Sequence, residues 1–342
     1  MELSLFQYQY PPELVAQQPS PGRDQSRMMV VDRARQALEH KTVRDLPDIL
    51  RKGDILVLND TKVFPARLLG SVGVFECRSV EVLLIPSADG CQLSAVSCQC
   101  LVKPGKKIEE GMVIQFAPDF SGRVLAKDDG FFTLSLIGEN ISGSIEKYGL
   151  PPLPPYIRRK TREDYTPEDR ERYQSVFARN TGSSAAPTAS LHFSEALLQK
   201  IKDRGVETAF VTLHVSTDTF LPIRAKNIAE HKMHGESFFV PEETREKIAC
   251  AKKENRRVIA VGTTVARALE SDWSKSSTHL FITPGFEFKI IDGLLTNFHQ
   301  PESSLLILAA SLVERKFLLK TYEEAIAKRY HLFSYGDCML IL

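Results

Sequence analysis

The pattern of apolar and polar positions changes twice along the chain. Short apolar runs at 28–31 and 55–58 are typical of buried strands in an α/β sheet. Between residues 63 and 150 the pattern predicts a series of short β-strands, separated by turns rich in Gly and Asp and without a clear amphipathic helix. Because closing such strands into a barrel removes exposed strand edges, this segment is interpreted as a small antiparallel β-barrel.

A proline-rich segment at 149–156 follows, and its composition predicts an extended linker. Beyond it, helical and strand patterns alternate. The predicted strands are 208–213, 258–261 and 290–295, and the predicted helices include 242–254, 264–270, 304–314 and 322–329. The pattern therefore predicts an α/β fold, an open and mostly parallel sheet domain with an inserted β-barrel domain. The expected domains are 1–62 plus 151–342 for the sheet and 63–150 for the barrel.

Composition narrows the class of protein. The 342 residues are 43% hydrophobic and 25% charged, which is typical of a globular protein. Lys and Arg total 44 against 43 Asp and Glu, so any basic nucleic-acid footprint must be a local patch. The first residues lack a basic, apolar signal pattern, and the apolar stretch 305–313 is too short to span a bilayer. We expect a cytoplasmic monomer without a membrane partner.

Four of the six cysteines cluster in the predicted barrel, at Cys77, Cys91, Cys98 and Cys100. Their spacing matches no common zinc pattern, and no histidine lies between them. We expect reduced, packed thiols and no metal site.

Polar residues at predicted strand ends are the candidate ligand-binding groups. The loop 179–193 is rich in small and hydroxyl residues and opens into a helix, which favours close approach of a ligand to backbone N–H groups. The segment 258–264 is a strand followed by Gly and two Thr, where an open α/β sheet presents ligands. The alternatives are a surface loop and an ordinary capping turn. The predicted substrate-binding residues are Asn59, Asp60, Gly182, Ser183, Thr188, His192, Glu236, Gly262, Thr263, Thr264 and Asn297.

Three histidines are candidates for proton transfer, namely His214, His234 and His299. His299 is favoured because it follows a predicted strand and precedes a predicted helix, at a carboxyl strand end. The alternative is that each histidine only hydrogen-bonds nearby backbone. His231, His234 and Glu236 could suggest a metal, but no helix is indicated that would place them on one face.

A basic cluster beside the linker is the candidate RNA contact. Arg158, Arg159, Lys160 and Arg162 could hold phosphates, and Tyr156 could stack on a base. The alternative is a solvated face. The chain has no glycine-rich phosphate loop and no dinucleotide-binding fingerprint.

These segments together resemble the S-adenosylmethionine:tRNA ribosyltransferase-isomerase family of queuosine biosynthesis, over essentially the whole chain. The matching strings are PSPGRDQSR (19–27), GDILVLNDTKV (53–63), PAR (65–67), PPYI (154–157), DRERYQ (169–174), RNTGSSAAPTASLHF (179–193), VTLHV (211–215), VGTT (261–264), LTNFH (295–299) and FSYGD (333–337). The chain departs from the family where Ser216 and Asp218 replace two glycines after His214, and Ser184 replaces a valine.

The resemblance implies an α/β enzyme with an inserted barrel that uses S-adenosylmethionine as a ribosyl donor. The acceptor would be 7-aminomethyl-7-deazaguanine at the tRNA wobble position, and the products epoxyqueuosine-tRNA, adenine and methionine. S-adenosylmethionine would then be a consumed co-substrate, and no cofactor is expected. A conventional methyltransferase and a noncatalytic RNA-binding module are the alternatives. The missing glycine-rich turn argues against the first, and the near-neutral charge against the second.

Overall fold

The computed structural model describes residues 1–73, 78–86, 97–128, 130–159, 161–216, 223 and 225–342. Lys160, Cys77, Cys91 and Asp218 lie outside the described residues. The strands are β1 (Arg27–Asp32), β2 (Ala37–Thr42), β3 (Ile55–Asn59), β4 (Thr61–Val63), β5 (Arg67–Val72), β6 (Arg78–Ile85), β7 (Ser97–Lys103), β8 (Val113–Ala117), β9 (Phe120–Asp128), β10 (Phe131–Ile137), β11 (Asn180–Ser183), β12 (Glu207–Leu213), β13 (Glu236–Phe239), β14 (Val258–Val261), β15 (Ser277–Thr278), β16 (Gly293–Asn297) and β17 (Cys338–Ile341).

The helices lie mostly in the second half of the chain. They are α1 (Leu46–Ile49), α2 (Ile141–Tyr148), α3 (Pro167–Arg172), α4 (Glu195–Asp203), α5 (Glu242–Lys253), α6 (Thr263–Glu270), α7 (Ser304–Leu312) and α8 (Arg315–Ala327). A 3₁₀ helix, Thr188–His192, precedes α4. No helix in the described ranges has the length and apolar character needed to cross a bilayer.

Nine strands form one mixed sheet in the order β15-β13-β12-β3-β14-β16-β17-β1-β2. Its centre, from β12 through β3 and β14 to β16, is parallel. Alternate residues of β3 enter two separate cores, with Ile55 and Val57 on one face and Leu56 and Leu58 on the other. Strands buried on both faces need continuous apolar runs, which is why the sequence of β3 does not alternate.

Six strands form the closed antiparallel barrel, in the order β10-β7-β6-β5-β8-β9. All of them lie between Arg67 and Ile137, and alternate side chains such as Val82, Leu84 and Leu134 fill the interior. The fold class predicted from the sequence, an α/β sheet with an inserted antiparallel barrel, is confirmed. The sheet is more mixed than predicted, because β13, β17 and β2 run antiparallel to neighbours.

The chain enters and leaves the barrel at adjacent points. Arg67 and Leu150 form an antiparallel bridge, in which their backbone N–H groups donate to each other's carbonyls at 3.2 and 2.8 Å. The buried Arg67 guanidinium also donates to the Leu153 carbonyl at 2.7 Å and to the Tyr165 hydroxyl at 2.5 Å. The predicted linker is therefore firmly held. It is not extended throughout, because the Leu153 N–H donates to the Pro151 carbonyl and the Ile157 N–H to the Pro154 carbonyl in two tight turns.

Candidate active site

The four central parallel strands end at one edge of the sheet, where they bring most of the predicted residues together. His214 follows β12, Asp60 follows β3 and Gly262 follows β14, while Asn297 ends β16 and is followed closely by His299. Since parallel strands are about 4.8 Å apart, this row of strand ends spans roughly 14 Å. An open α/β sheet binds ligands at this edge.

Asn59 ties three segments together at the centre of the edge. Its Oδ1 accepts hydrogen bonds from the N–H groups of Thr61 and Leu213, each at 3.1 Å. Its Nδ2 donates to the Leu213 carbonyl at 3.0 Å and to Thr264 Oγ1 at 3.3 Å. An amide side chain has no further hydrogen-bonding capacity, so Asn59 positions the site rather than binding substrate.

Asp60 also hydrogen-bonds to neighbouring segments, through both its side chain and its backbone carbonyl. Its Oδ1 accepts from Thr212 Oγ1 at 2.6 Å and from Asn180 Nδ2 at 3.1 Å. Its backbone carbonyl accepts from the N–H groups of Arg179 and Asn180. The aspartate thus holds the start of the small-residue loop against the sheet and places a negative charge beside His214.

His214 is half-buried at the end of a hydroxyl chain. Its Nδ1 is 2.8 Å from Thr61 Oγ1, which is 2.7 Å from Ser183 Oγ, and Ser183 Oγ accepts from the Val215 N–H at 2.8 Å. The ring lies on Gly182, where an added Cβ would be 2.6 Å from the imidazole Cε1. Burial lowers the pKa of His214 while the charge of Asp60 raises it. The imidazole is therefore neutral at physiological pH and able to accept a proton.

His299 lies deeper, and the residue is 7% exposed. Its Nε2 is 2.8 Å from Thr296 Oγ1, and its backbone N–H donates to the Tyr322 hydroxyl at 2.9 Å. Burial lowers the pKa of His299 to about 3. The ring is neutral at physiological pH, but its conjugate acid would release a proton readily.

The 3₁₀ helix Thr188–His192 packs beside β16 and closes one side of the edge. His192 is buried, which lowers its pKa to about 4, and the neighbouring Asn297 amide opposes this shift. Asn297 Nδ2 donates to the Phe333 carbonyl at 3.0 Å and to the Ser334 carbonyl at 3.5 Å. A cleft opens next to these residues and is lined by Tyr156, Thr188, Asn297, Phe298, His299, Gln300, Ser303, Leu305, Phe333 and Ser334.

The turn from β14 into α6 depends on one glycine. Gly262 has φ 93° and ψ 153°, a conformation that residues with a Cβ rarely adopt. Its N–H donates to the Leu295 carbonyl at 2.8 Å, and Thr263 and Thr264 follow, both buried. The turn places Thr264 Oγ1 within hydrogen-bonding distance of Asn59 Nδ2, and α6 begins at this edge of the sheet.

Glu236 is held in an internal ion pair. Its carboxylate contacts the Arg267 guanidinium, with both side chains less than 5% exposed, and accepts from the Ser216 N–H at 3.2 Å. The prediction that Glu236 binds substrate does not fit this arrangement, because its charge is already compensated.

His234 lies away from the other two histidines. It is exposed, and its ring centroid is 6.3 Å from that of Phe131 in the barrel. The structure therefore does not group His234 with the strand ends.

The described arginines of the basic cluster lie in two environments, one buried and one exposed to solvent. Arg159 makes a bidentate ion pair with Asp169, at 2.9 Å for both contacts, and its side chain is 6% exposed. The predicted phosphate contact of Arg159 does not fit this geometry, because the guanidinium is committed internally. Arg158 and Arg162 are exposed, although Arg162 also donates to the Tyr148 carbonyl at 2.6 Å. Tyr156 lies in the cleft wall, with its hydroxyl 2.6 Å from Ser334 Oγ.

The described residues include no group of three or more His, Cys, Asp or Glu side chains that could hold a metal ion. Cys98 and Cys100 lie on β7 of the barrel as reduced thiols, and burial raises the pKa of Cys100. Cys77 and Cys91, which completed the cluster in the sequence, fall in the gaps of the described ranges.

Several site residues were missed by the sequence interpretation. Thr61 and Thr296 contact the two histidines, Asn180 contacts Asp60, and Arg267 pairs with Glu236. Thr61, Asn180 and Thr296 lie in polar segments that the sequence singled out, and the contact of Thr296 with His299 is local. The contacts of Thr61 with His214, of Asn180 with Asp60 and of Arg267 with Glu236 join segments that are distant in sequence.

Comparison with known proteins matches residues 3–341 to the family described as queuosine biosynthesis protein. The S-adenosylmethionine:tRNA ribosyltransferase-isomerases of Aquifex aeolicus and Sulfurihydrogenibium sp. are 46% and 43% identical to this chain, each over 100% of both chains. The crystal structure of S-adenosylmethionine tRNA ribosyltransferase from Thermotoga maritima aligns with a TM-score of 0.55 at 34% identity. That alignment covers 99% of this chain and 100% of the other.

Proposed function

The chain belongs to the family of queuosine biosynthesis proteins, and on that premise we propose that it is an S-adenosylmethionine:tRNA ribosyltransferase-isomerase. It moves and isomerises the ribosyl group of S-adenosylmethionine onto 7-aminomethyl-7-deazaguanine at the tRNA wobble position. The products are epoxyqueuosine-tRNA, adenine and methionine. S-adenosylmethionine is consumed as a substrate in this proposal.

One observation carries the proposal beyond family membership. A neutral, half-buried His214 stands at one end of a row of parallel strand ends, and an uncharged cleft beside Asn297 stands at the other. A substrate whose heterocycle and reactive C5′ carbon are some distance apart fits this row of strand ends better than it would fit a single compact pocket. The row supports a reaction in which the heterocycle and the C5′ carbon are bound at different positions.

The chemistry requires a base near C5′. The sulfonium group acidifies the adjacent C5′ hydrogens, so that a positioned neutral imidazole can remove one of them. In the reaction that follows, the C1′–N bond to adenine breaks, the aminomethyl nitrogen forms a bond to the sugar and loses a proton, and the C5′–S bond breaks as methionine leaves and the epoxide closes. The departing adenine needs a proton, which returns from the protonated base or from solvent.

We assign the base to His214 in preference to His299, which the sequence favoured. Asp60 supports the protonated form of His214, and a ring that is only half-buried can reach substrate. His299 is 7% exposed and has a pKa of about 3, which makes it a weak base. His299 is therefore proposed as a neutral group in the cleft wall.

The tRNA contacts are proposed at Arg158 and Arg162, the exposed described arginines of the basic cluster. They lie in the same stretch of chain as Tyr156, which forms part of the cleft wall. Phosphate contacts at this position would bring the wobble nucleotide toward the edge of the sheet.

Product analysis tests the proposed function. The protein is incubated with S-adenosylmethionine and tRNA that carries 7-aminomethyl-7-deazaguanine, and small molecules and digested nucleosides are identified by mass spectrometry. Adenine, methionine and epoxyqueuosine in equal amounts are expected. S-adenosylhomocysteine with methylated tRNA would instead indicate a methyltransferase, and tRNA binding without consumption of S-adenosylmethionine a noncatalytic module.

A further inference from the structure

Two hydroxyl groups beside His214 are fully buried, so their protons must be given to protein atoms. Thr61 and Ser183 are each 0% exposed. Thr61 Oγ1 lies 2.8 Å from His214 Nδ1 and 2.7 Å from Ser183 Oγ. Because buried polar groups in native proteins are nearly always paired, the direction of each hydrogen bond follows from assigning every proton to an acceptor.

The assignment starts from Ser183, whose surroundings leave its proton one acceptor. Ser183 Oγ accepts a hydrogen bond from the Val215 N–H at 2.8 Å, and a backbone N–H always donates. Within the described ranges, Thr61 Oγ1 is the one acceptor that the Ser183 hydroxyl can reach. Ser183 therefore donates to Thr61, and the proton of Thr61 must go to another atom.

Thr61 has two possible acceptors for its single proton. His214 Nδ1 is 2.8 Å from Thr61 Oγ1, and the Asn180 carbonyl oxygen is 3.5 Å away. Because the shorter hydrogen bond is the stronger one, Thr61 donates to Nδ1 when that nitrogen carries no proton. A neutral imidazole carries one proton, so in this arrangement the proton lies on Nε2.

A protonated Nδ1 requires a second arrangement of the same hydroxyls. The Nδ1–H group of His214 then donates to Thr61 Oγ1, which has two lone pairs and also accepts from Ser183. The Thr61 proton must turn to the Asn180 carbonyl, at the longer distance of 3.5 Å. This second arrangement serves both the imidazolium and the neutral tautomer whose proton lies on Nδ1.

We propose that Thr61 is a positioning residue that sets the tautomer of His214 and turns its hydroxyl between Nδ1 and the Asn180 carbonyl as the ring changes protonation. The consequence for catalysis rests on the proposed function. Nδ1 faces Thr61, which leaves Nε2 to meet the substrate, and Nε2 can accept a proton only in the tautomer with hydrogen on Nδ1. The half-buried ring exchanges protons with water between the two tautomers. The C5′–H bond then breaks, its electron pair stays on carbon, and the N–H bond formed at Nε2 gives the imidazolium.

Asp60 acts on the same ring by its charge and does not choose between the nitrogens. Burial lowers the pKa of His214, and the charge of Asp60 opposes this shift. The Asp60 carboxylate accepts from Thr212 Oγ1 at 2.6 Å and from Asn180 Nδ2 at 3.1 Å. Since no hydrogen bond in the described ranges joins this carboxylate to the imidazole, Asp60 favours the protonated ring while Thr61 decides which nitrogen of the neutral ring holds the proton.

The resting tautomer can be measured on the unmodified protein without any ligand. Nitrogen NMR spectra are recorded on protein labelled in its histidine rings, and the His214 signals are those missing from His214→Asn. At a pH where the ring is neutral, we expect the proton on Nε2 and a bare Nδ1. A resting proton on Nδ1 would overturn the proposal, even where the variants below do not fold.

Replacing the hydroxyl tests its effect on proton uptake. Thr61→Val keeps the shape of the side chain, but the imidazolium loses the hydrogen bond of its Nδ1–H group. Because hydrogen bonds to charged groups are worth more than those to neutral ones, the midpoints of the His214 titration and of the pH profile of C5′ exchange should both fall by about one pH unit. Thr61→Ser keeps the hydroxyl and should restore both midpoints.

Thr321→Val is the matched control. Thr321 is also 0% exposed, and its hydroxyl donates to the Phe317 carbonyl in α8 at 2.9 Å. This variant removes a buried hydroxyl away from the site and should leave the His214 titration unchanged. An unshifted titration in folded Thr61→Val, or a shift in Thr61→Ser as large as that in Thr61→Val, would overturn the proposal.

The tautomer and the reaction are measured separately, which distinguishes this proposal from the proposed function. A resting proton on Nε2 and a shifted titration in Thr61→Val, without epoxyqueuosine from the unmodified protein, would support the role of Thr61 at the ring and refute the ribosyltransferase. Epoxyqueuosine from a protein whose resting His214 carries its proton on Nδ1 would support the ribosyltransferase and overturn the role of Thr61.

Discussion

At the residue scale, two asparagines at the same edge of the sheet are held by different sets of neighbours. Asn59 uses both of its donors and both of its acceptor positions within the protein. Asn297 Nδ2 donates to the Phe333 and Ser334 carbonyls, and its amide lies beside the buried ring of His192. Asn59 follows the apolar run 55–58 and Asn297 follows Thr296, and neither sequence indicates which groups the amide meets. The difference arises from what the neighbouring strands and loops present to each amide.

The two candidate bases make opposite predictions. His214→Asn removes the imidazole beside Asp60, and we expect C5′ hydrogen exchange in deuterated water and turnover to fall about 10²-fold or more. His299→Asn serves as the matched variant, since it makes the same exchange of side chains in the cleft wall. It should retain S-adenosylmethionine binding and most of the C5′ exchange. Near-normal exchange in His214→Asn, together with a large loss in His299→Asn, would return the role to His299.

The buried histidines predict a dependence of stability on pH. His192 and His299 have pKa values of about 4 and about 3 in the folded protein, whereas in the unfolded chain both protonate near 6.5. Below about pH 6 the unfolded chain therefore binds protons that the folded protein does not. We expect the free energy of unfolding to fall by about 1.4 kcal/mol per pH unit for each histidine as pH decreases from 6 toward 4.

Urea unfolding at a series of pH values measures this slope. His192→Gln or His299→Gln should each make the slope shallower by the share of one histidine. A slope identical to that of the unmodified protein would mean that the ring titrates normally in the folded state.

At the scale of elements, the pattern of apolar residues predicted that the strands exist but not the residues at which each strand begins and ends. The sequence predicts a strand at 290–295, while β16 covers Gly293–Asn297. The reason is Glu270, whose carboxylate accepts from the N–H groups of Lys289, Ile290 and Ile291 and holds this apolar segment outside the sheet. Likewise α8 begins at Arg315 rather than 322, because Glu314 caps it through the N–H groups of Lys316 and Phe317.

Charged residues were the least predictable part of the site. Arg159 and Glu236 stand in polar, loop-like sequence, which indicates solvent exposure, yet both are buried against partners on other elements. A charge can be buried only when its partner is brought to it by the fold. The strand-end positions of Asp60, Gly262 and Asn297, in contrast, follow from local pattern and the geometry of parallel sheets, and were predicted.

Two glycines at element ends are expected to respond differently to substitution by alanine. Gly262→Ala has room for its Cβ, with Ala189 Cβ at 3.6 Å, but keeps an unfavourable φ of 93°. It should therefore lower the free energy of unfolding by about 1–3 kcal/mol. Gly182 has no positive φ, but the Cβ added by Gly182→Ala would contact the His214 ring. This variant should therefore lower turnover with little loss of stability. Thermal unfolding and adenine release, measured on both variants, check the contrast, and a reversed order would contradict it.

At the scale of the whole molecule, the near-neutral charge means that tRNA affinity depends on a few local contacts. Replacing Arg158 and Arg162 with Gln should weaken tRNA binding and reduce the slope of log affinity against log salt by about one unit for each phosphate that is no longer bound. Arg51→Gln with Arg204→Gln is the matched control. These exposed residues lie near the amino ends of β3 and β12, opposite the candidate site. Equal slopes for the two double variants would make the basic cluster a solvated face.

The position of β17 in the sheet has a consequence for how the chain is made. β17 lies between β16 and β1, so the hairpin of β1 and β2 has no neighbour in the sheet until Cys338–Ile341 has been synthesised. At translation speeds of roughly 5–20 residues per second, the interval between Thr42 and Ile341 is about 15–60 s. During that time Met28, Met29 and Val31 of the hairpin, all buried in the finished sheet, lack their final partners. We therefore expect the apolar residues of this hairpin to stay exposed during synthesis, until β17 pairs with both β16 and β1.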